Sequence, residues 1–190
     1  MKNNKPAIFI DRDGTINVEI HYLHEPEKFQ FIEKTIEALR IIKKLEFKLI
    51  VITNQGAISK GMYDHKDVEL THNHMINLLE KENIFLDGIY YCPHSSKDNC
   101  NCRKPKTGML EKAIKEHDID GNNSWMIGDK LSDIEAGNRI NLKTILVMTG
   151  YGIKHRDLLE LSDKKDILLK KPDYFAKDLF EASRIIENKK

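Results

Sequence analysis

Residues 7–15 read Ala7-Ile8-Phe9-Ile10-Asp11-Arg12-Asp13-Gly14-Thr15. Four apolar residues in a row fit a strand covered on both faces, as in a parallel sheet. Two carboxylates two residues apart then fall where the strand ends and a loop begins. In an open α/β sheet that carboxyl edge is where ligands bind. An Asp-x-Asp pair there suits Mg²⁺, held through one carboxylate and one backbone carbonyl, because Mg²⁺ takes oxygen ligands and keeps room for water and phosphate. Asp11 is then available to attack phosphorus, and Asp13 to act as acid and base. Taken alone, Asp-x-Asp-Gly is a turn. Its place directly after an apolar strand, with Thr15 following, favours a site.

The pattern recurs down the chain. Residues 48–52 form a second apolar strand running into Thr53-Asn54-Gln55-Gly56, where a hydroxyl and an amide can donate hydrogen bonds to a phosphoryl group. Residues 88–92 read as a third strand. Residues 124–127 are a fourth, ending in Gly128-Asp129-Lys130-Leu131-Ser132-Asp133. Residues 144–148 are a fifth, and 172–175 suggest a short edge strand. Between them, Ile32, Ile36, Leu39 and Ile42 mark an amphipathic helix over 33–45. Further helices are expected over 64–82, 108–117, from Ile134 and from Lys177, with charged helical turns over 158–169. On the helix at 64–82, His65 and His74 read as exposed and His72 as lying near the apolar face. Strands alternating with helices predict an α/β fold, a Rossmann-like, mainly parallel sheet of about five to six strands flanked by helices. One domain over residues 1–190 is expected. The partial alternation of 16–23 predicts a short flap or hairpin beside the site. From it Glu19 and Tyr22 either reach a polar substrate or are merely solvated.

All three cysteines fall within Cys92-Pro93-His94-(x)5-Cys100-Asn101-Cys102. Three thiolates and an imidazole complete a tetrahedral zinc set with no open position, so a structural zinc-binding loop is expected over 92–102. The odd, tightly packed cysteine count argues for metal over disulfides. Directly after it come the cations Arg103, Lys104 and Lys106. Arg103 offers a planar fork to a second phosphate or to substrate oxygens, whereas Lys106 reads as solvated.

The chain has 190 residues, 31 basic and 30 acidic, for a formal net charge of +1. That balance gives no electrostatic case for nucleic acid or a membrane surface. No stretch approaches 18 apolar residues, and the start lacks the apolar run of a signal peptide. A cytoplasmic protein without nucleic-acid or membrane partners is expected, and a monomer.

These stretches resemble the haloacid dehalogenase superfamily of phosphohydrolases, with Asp11–Thr15 as motif one, Thr53-Asn54-Gln55 as motif two, Lys104 as motif three and Gly128-Asp129 as motif four. Asn17-Val18-Glu19-(x)2-Tyr22 and Tyr90-Tyr91-Cys92-Pro93-His94 are similar to the heptose bisphosphate phosphatase branch, with the histidinol phosphatases as nearest relatives. Relatives often read Thr-Asn-Gln-Ser-Gly where this chain has Gln55-Gly56-Ala57. The resemblance implies an aspartyl-phosphate formed on Asp11, with Asp13 as acid/base and Mg²⁺ held by Asp11, Asp13 and Asp129. It implies phosphate or substrate contacts from Thr53, Asn54, Gln55, Arg103, Lys104 and Lys130, and sugar contacts from Glu19 and Tyr22. Asp133 would accept hydrogen bonds behind the metal ligands, and Cys92, His94, Cys100 and Cys102 would hold Zn²⁺. It further implies a small sugar bisphosphate as substrate, loss of its C7 phosphate, and no separate cap domain. Histidinol phosphate is the alternative substrate. A non-catalytic zinc-binding module is the alternative of another class, and the charge balance and the 7% aromatic content speak against it.

Overall fold

The structure is a computed structural model describing residues 4–161 and 169–190. The expected charged turns over 158–169 lie outside the described residues for 162–168.

Six strands form one sheet: β1 (Ala7–Ile10), β2 (Lys48–Asn54), β3 (Gly88–Cys92), β4 (Trp125–Gly128), β5 (Lys143–Val147) and β6 (Tyr174–Ala176), in the order β3-β2-β1-β4-β5-β6. Every neighbouring pair is parallel. The helices are α1 (Thr35–Lys44), α2 (His65–Lys81), α3 (Gly108–Glu116), α4 (Leu131–Arg139), α5 (Gly152–Glu160) and α6 (Leu179–Glu187). The central strands are apolar throughout because both faces are covered. Ile8, Ile10, Leu49, Val51, Ile127 and Ile145 face one core with Leu39, Ile42 and Ile186. Phe9, Ile50, Ile52 and Met126 point the other way, onto Leu110, Ala113 and Ala136. The alternation along each strand splits the side chains between two cores.

From β1 the chain steps outward to β2 and β3, then returns to place β4 on the other side of β1. The strand order therefore reverses between β1 and β4, and a crevice opens at their carboxyl ends. Asp11, Thr53, Cys92 and Asp129 all fall at this one edge.

The segment after β1 differs in part from the hairpin reading. It is an irregular flap with only isolated bridges, Asp13 to Asn17 and Asn17 to Phe31. Positive φ at His21 and Tyr22 interrupts the extended run. The amides of Ile16 and Asn17 are spent on the Arg12 carbonyl, at 2.8 and 3.2 Å, instead of on a partner strand. Between β1 and β2 the described residues hold this flap, one 3-10 turn and α1; between β2 and β3 they hold a 3-10 turn and α2. No cap domain is built there.

Candidate active site

Asp11 leaves the end of β1 with its amide donating to the Ile127 carbonyl of β4 at 2.9 Å. That bond carries the β1–β4 pairing past the strand end and sets the Asp11 side chain beside the segment after β4. Asp11, Asp129 and Asp133 are buried, and each has a carboxylate oxygen within 4.8 Å of the other two. Asp129 accepts the Tyr151 amide through Oδ2 at 2.8 Å. Its buried Oδ1 has no hydrogen-bond donor among the described residues. Burial, with the nearby Asp11 and Asp133 carboxylates, outweighs the Lys130 ammonium 3.6 Å from Oδ1 and pushes the Asp129 carboxyl up to about 8. An orphaned oxygen and crowded buried carboxylates of like charge are what a hard divalent cation relieves, so these all-oxygen donors fit Mg²⁺. Gly14 (φ +82°) makes the close approach possible: a Cβ there would fall 2.3 Å from Asp129 Oδ2.

Lys104 enters from the far side of the crevice. Its ammonium lies 2.9 Å from Asp11 Oδ1 and 2.6 Å from Asp133 Oδ1, and donates to the Ile52 carbonyl at 2.6 Å. Burial alone would lower its pKa, but the Asp11 and Asp133 charges outweigh burial and raise it, so Lys104 stays a cation. Asn54 clamps the Lys104 backbone, accepting its N–H and donating to its carbonyl, each at 3.1 Å.

Asp13 points to a different set of partners. Arg12, wholly buried, forks onto its carboxylate at 2.9–3.1 Å. Asn17 Nδ2 donates to Asp13 Oδ1 at 3.1 Å and Gln55 Nε2 to Oδ2 at 3.0 Å. Burial raises the Asp13 carboxyl, but the Arg12 charge and these hydrogen bonds together hold it below the usual range. Gln55 also donates to Thr53 Oγ1 at 2.9 Å and accepts from the Tyr63 hydroxyl at 2.7 Å.

The open pocket at these groups has a volume of about 310 Å³, and its lining runs from the buried Asp11 and Lys104 through the half-buried Arg103 to the exposed Tyr22 and Lys60. Lys130 bridges to Glu19 at 3.3 Å and lies over the Tyr151 ring. Burial would lower the Lys130 pKa, yet the surrounding carboxylates raise it. Lys60 donates to the Tyr22 hydroxyl at 3.1 Å, joining the flap to the segment after β2.

Cys92, His94, Cys100 and Cys102 converge at the neighbouring strand end, with one ligand atom from each within 4.8 Å of the others. Cys92 Sγ is 3.8 Å from Cys100 Sγ and 3.5 Å from His94 Nδ1. Cys102 Sγ is closer, 3.0 Å from Cys92 Sγ and 3.2 Å from His94 Nδ1; three sulfurs and one imidazole nitrogen gathered this closely are the donor chemistry of a tetrahedral zinc. Burial pushes the Cys92 thiol up; in this site, a bound metal is what would favour its thiolate. Lys106 is exposed but does more than face solvent, since its ammonium donates to the Cys100 carbonyl at 2.5 Å and ties down the loop.

Residues 18–141 match the family model described as haloacid dehalogenase-like hydrolase, and a related hydrolase-like model matches 101–182. The chain is 45% identical over 156 residues to the D-glycero-beta-D-manno-heptose-1,7-bisphosphate 7-phosphatase of Pasteurella multocida, covering 78% of this chain and 85% of that one. The chain belongs to the haloacid dehalogenase-like hydrolase family. The Escherichia coli K12 protein of the same name is 44% identical over 161 residues, covering 80% of this chain and 84% of its own. A D,D-heptose 1.7-bisphosphate phosphatase of B. bronchiseptica, solved with magnesium and phosphate, superposes with a TM-score of 0.85 at 24% identity, over 97% of this chain and 99% of that one.

Within this haloacid dehalogenase fold Asp11, Asp13, Glu19, Tyr22, Thr53, Asn54, Gln55, Arg103, Lys104 and Lys130 line one pocket, Asp129 lies buried within ligand distance of Asp11, and Cys92, His94, Cys100 and Cys102 form a cluster of their own. Asp13 shares the pocket, but its carboxylate turns to Arg12, Asn17 and Gln55 and away from the metal-ligand oxygens; only its backbone is left for a metal. Asp133, read as an acceptor behind the ligands, stands among the carboxylate oxygens themselves. Arg12, Asn17, Tyr63 and Lys60 were not selected. Arg12 and Asn17 had one local signal, their adjacency to the Asp pair. Tyr63 and Lys60 had none, because their partners come from other segments.

Proposed function

We propose that the chain is a Mg²⁺-dependent phosphatase that removes the 7-phosphate of D-glycero-D-manno-heptose 1,7-bisphosphate, the activity named in its relatives. The observation that carries this is the pairing of a buried reaction end, Asp11 with Lys104 at 2.9 Å, with an outer end bearing Lys60 and Arg103. One end suits the phosphate being transferred, the other a sugar that carries a second phosphate.

Asp11 attacks phosphorus and becomes an aspartyl-phosphate as the sugar alkoxide leaves. Asp13, whose carboxyl the negative charge of a bound phosphate would raise, gives that alkoxide its proton, then takes one from the water that hydrolyses the intermediate. Lys104, Thr53 and Asn54 meet the charge on the transferring group, and Lys130 adds a cation at the rim. When bound by Asp11, Asp129 and the Asp13 carbonyl, Mg²⁺ offsets repulsion between carboxylate and phosphoryl oxygens. Asp133 holds Lys104 and the start of α4, accepting the Lys130 amide at 3.0 Å. Arg103 and the flap residues Glu19 and Tyr22 grip the sugar and its anomeric phosphate. Cys92, His94, Cys100 and Cys102 would hold Zn²⁺ with no position left open, so the ion would serve structure.

The proposal extends to one domain over 1–190, a monomer, and action in the cytoplasm. No helix among the described residues is long and apolar enough to cross a membrane. The test is turnover of both anomers of heptose 1,7-bisphosphate beside histidinol phosphate, with Mg²⁺ present and absent. Preference for histidinol phosphate, or turnover without a divalent ion, would overturn it.

A further inference from the structure

Tyr63 follows Gln55 by eight residues, and Gly61 (φ +67°) turns the chain so that Tyr63 joins the pocket wall. Its ring is buried with Ala57 and Val68, and the His24 ring of the flap stacks against it with centroids 5.2 Å apart. A ring held on these sides presents its hydroxyl in one direction. That hydroxyl donates to Gln55 Oε1 at 2.7 Å. Burial pushes the phenol up to about 12, so the group stays an O–H donor at neutral pH. The other end of the same amide is also committed: Nε2 donates to Asp13 Oδ2 at 3.0 Å and to Thr53 Oγ1 at 2.9 Å. An amide has two ends of nearly equal size and opposite hydrogen-bonding character. While Asp13 is an ionised acceptor it draws Nε2 by itself. Once Asp13 carries the proton meant for the leaving oxygen, a reversed amide would accept that proton through Oε1 and hold it back. Reversal would also turn an NH₂ group toward the Tyr63 hydroxyl and strip its hydrogen of an acceptor in a buried setting, which is costly.

We propose that Tyr63 is a positioning residue for proton transfer at Asp13: its hydroxyl holds the Gln55 amide with Nε2 toward Asp13, so that the carboxyl proton passes to the departing sugar oxygen and not to Gln55. The proposal rests on the phosphatase reading and deepens its acid step. In that step the O–H bond of Asp13 breaks as one forms on the sugar oxygen, and the carboxylate left behind accepts Gln55 Nε2 and the Arg12 fork. A leaving group that departs as a stable anion has no use for the proton. The later base step starts from the ionised carboxylate, which orients the amide unaided.

The test measures kcat and KM of Tyr63→Phe, Gln55→Met and the double variant on heptose 1,7-bisphosphate and on p-nitrophenyl phosphate, with Asp13→Asn alongside. Tyr63→Phe keeps the ring that packs with Val68 and His24 and removes only the hydroxyl. It is expected to lower kcat on the bisphosphate about 3- to 10-fold, the scale of one net hydrogen bond, with KM unchanged. On p-nitrophenyl phosphate kcat should stay within about 2-fold, because that step needs no proton. In the Gln55→Met background, loss of the hydroxyl should cost nothing further, since residues acting through one another are non-additive. Equal falls on both substrates, a fall in KM alone, additive losses in the double variant, or no fall at all would overturn the proposal. Asp13→Asn keeps the two failures apart. If it too fails to separate the substrates, the acid step of the functional reading falls with this inference; if it separates them and Tyr63→Phe does not, this inference falls alone.

Discussion

The Lys104 ammonium lies 2.9 Å from Oδ1 of Asp11, across 93 residues of chain. Both groups are buried, and the same ammonium reaches Asp133 at 2.6 Å. One cation therefore holds two carboxylates that would otherwise repel each other in a poorly solvated crevice. Breaking a buried pair by removing one partner typically costs about 3–5 kcal/mol, because the other charge is left unpaired. Lys104→Met is expected to lower stability by about that amount without metal, and by less with Mg²⁺ present, besides abolishing most turnover. Urea denaturation with and without Mg²⁺ measures it. A loss under about 1 kcal/mol, the range of exposed pairs, would contradict the buried-pair account.

Asp11→Asn should stop turnover and leave the fold intact. The amide keeps an oxygen for Lys104 but cannot attack phosphorus. Retention of more than about a hundredth of wild-type kcat would exclude the covalent route, since losing even a positioned acid/base typically costs roughly 10²–10⁴-fold.

Asp13→Asn should separate substrates by leaving group. A sugar alkoxide needs a proton as it departs, whereas p-nitrophenolate does not. Expected is a fall of about 10²-fold or more on heptose bisphosphate and a much smaller one on p-nitrophenyl phosphate, read as paired kcat values. Equal falls would remove Asp13 from the proton transfer.

Protein purified without chelators should carry about one Zn²⁺ per chain, as one four-ligand site demands, and still need added Mg²⁺ for activity. Metal analysis that finds no zinc refutes the assignment of Cys92, His94, Cys100 and Cys102.

His72 gives a pH dependence of stability. Its ring is buried on α2 edge-on to Tyr91, its Nε2 has no hydrogen-bond partner among the described residues, and burial takes its pKa from 6.5 down to about 3. Below 6.5 the unfolded chain binds a proton that the folded chain refuses, so this residue's contribution to stability is whole above pH 6.5 and declines as pH falls toward 3. At pH 5 the loss amounts to about 2 kcal/mol. His72→Phe should remove that increment from the difference in urea midpoints between pH 7.5 and pH 5. An unchanged difference would show that His72 takes up its proton in the folded state.

Much of this site was readable from local pattern. Asp11, Thr53, Cys92 and Asp129 each end an apolar run, and strand ends of a parallel α/β sheet share one edge whatever the strand order. The Cys/His loop was readable because its ligands lie within eleven residues of one another, close enough for spacing alone to define a donor set. Spacing could not say which way each side chain turns. Arg12, Asn17 and Gln55 turn the Asp13 carboxylate aside, and Lys104 draws the Asp133 carboxylate in beside Asp11, with Gln55 and Lys104 reaching in from other segments. The flap lost its hairpin to a carbonyl at Arg12 and to two residues of positive φ. The reach of Tyr63 through Gln55 to Asp13 joins segments 42 residues apart. Those contacts follow from β1 lying between β2 and β4, and periodicity within a single segment carries no information about which strands become neighbours.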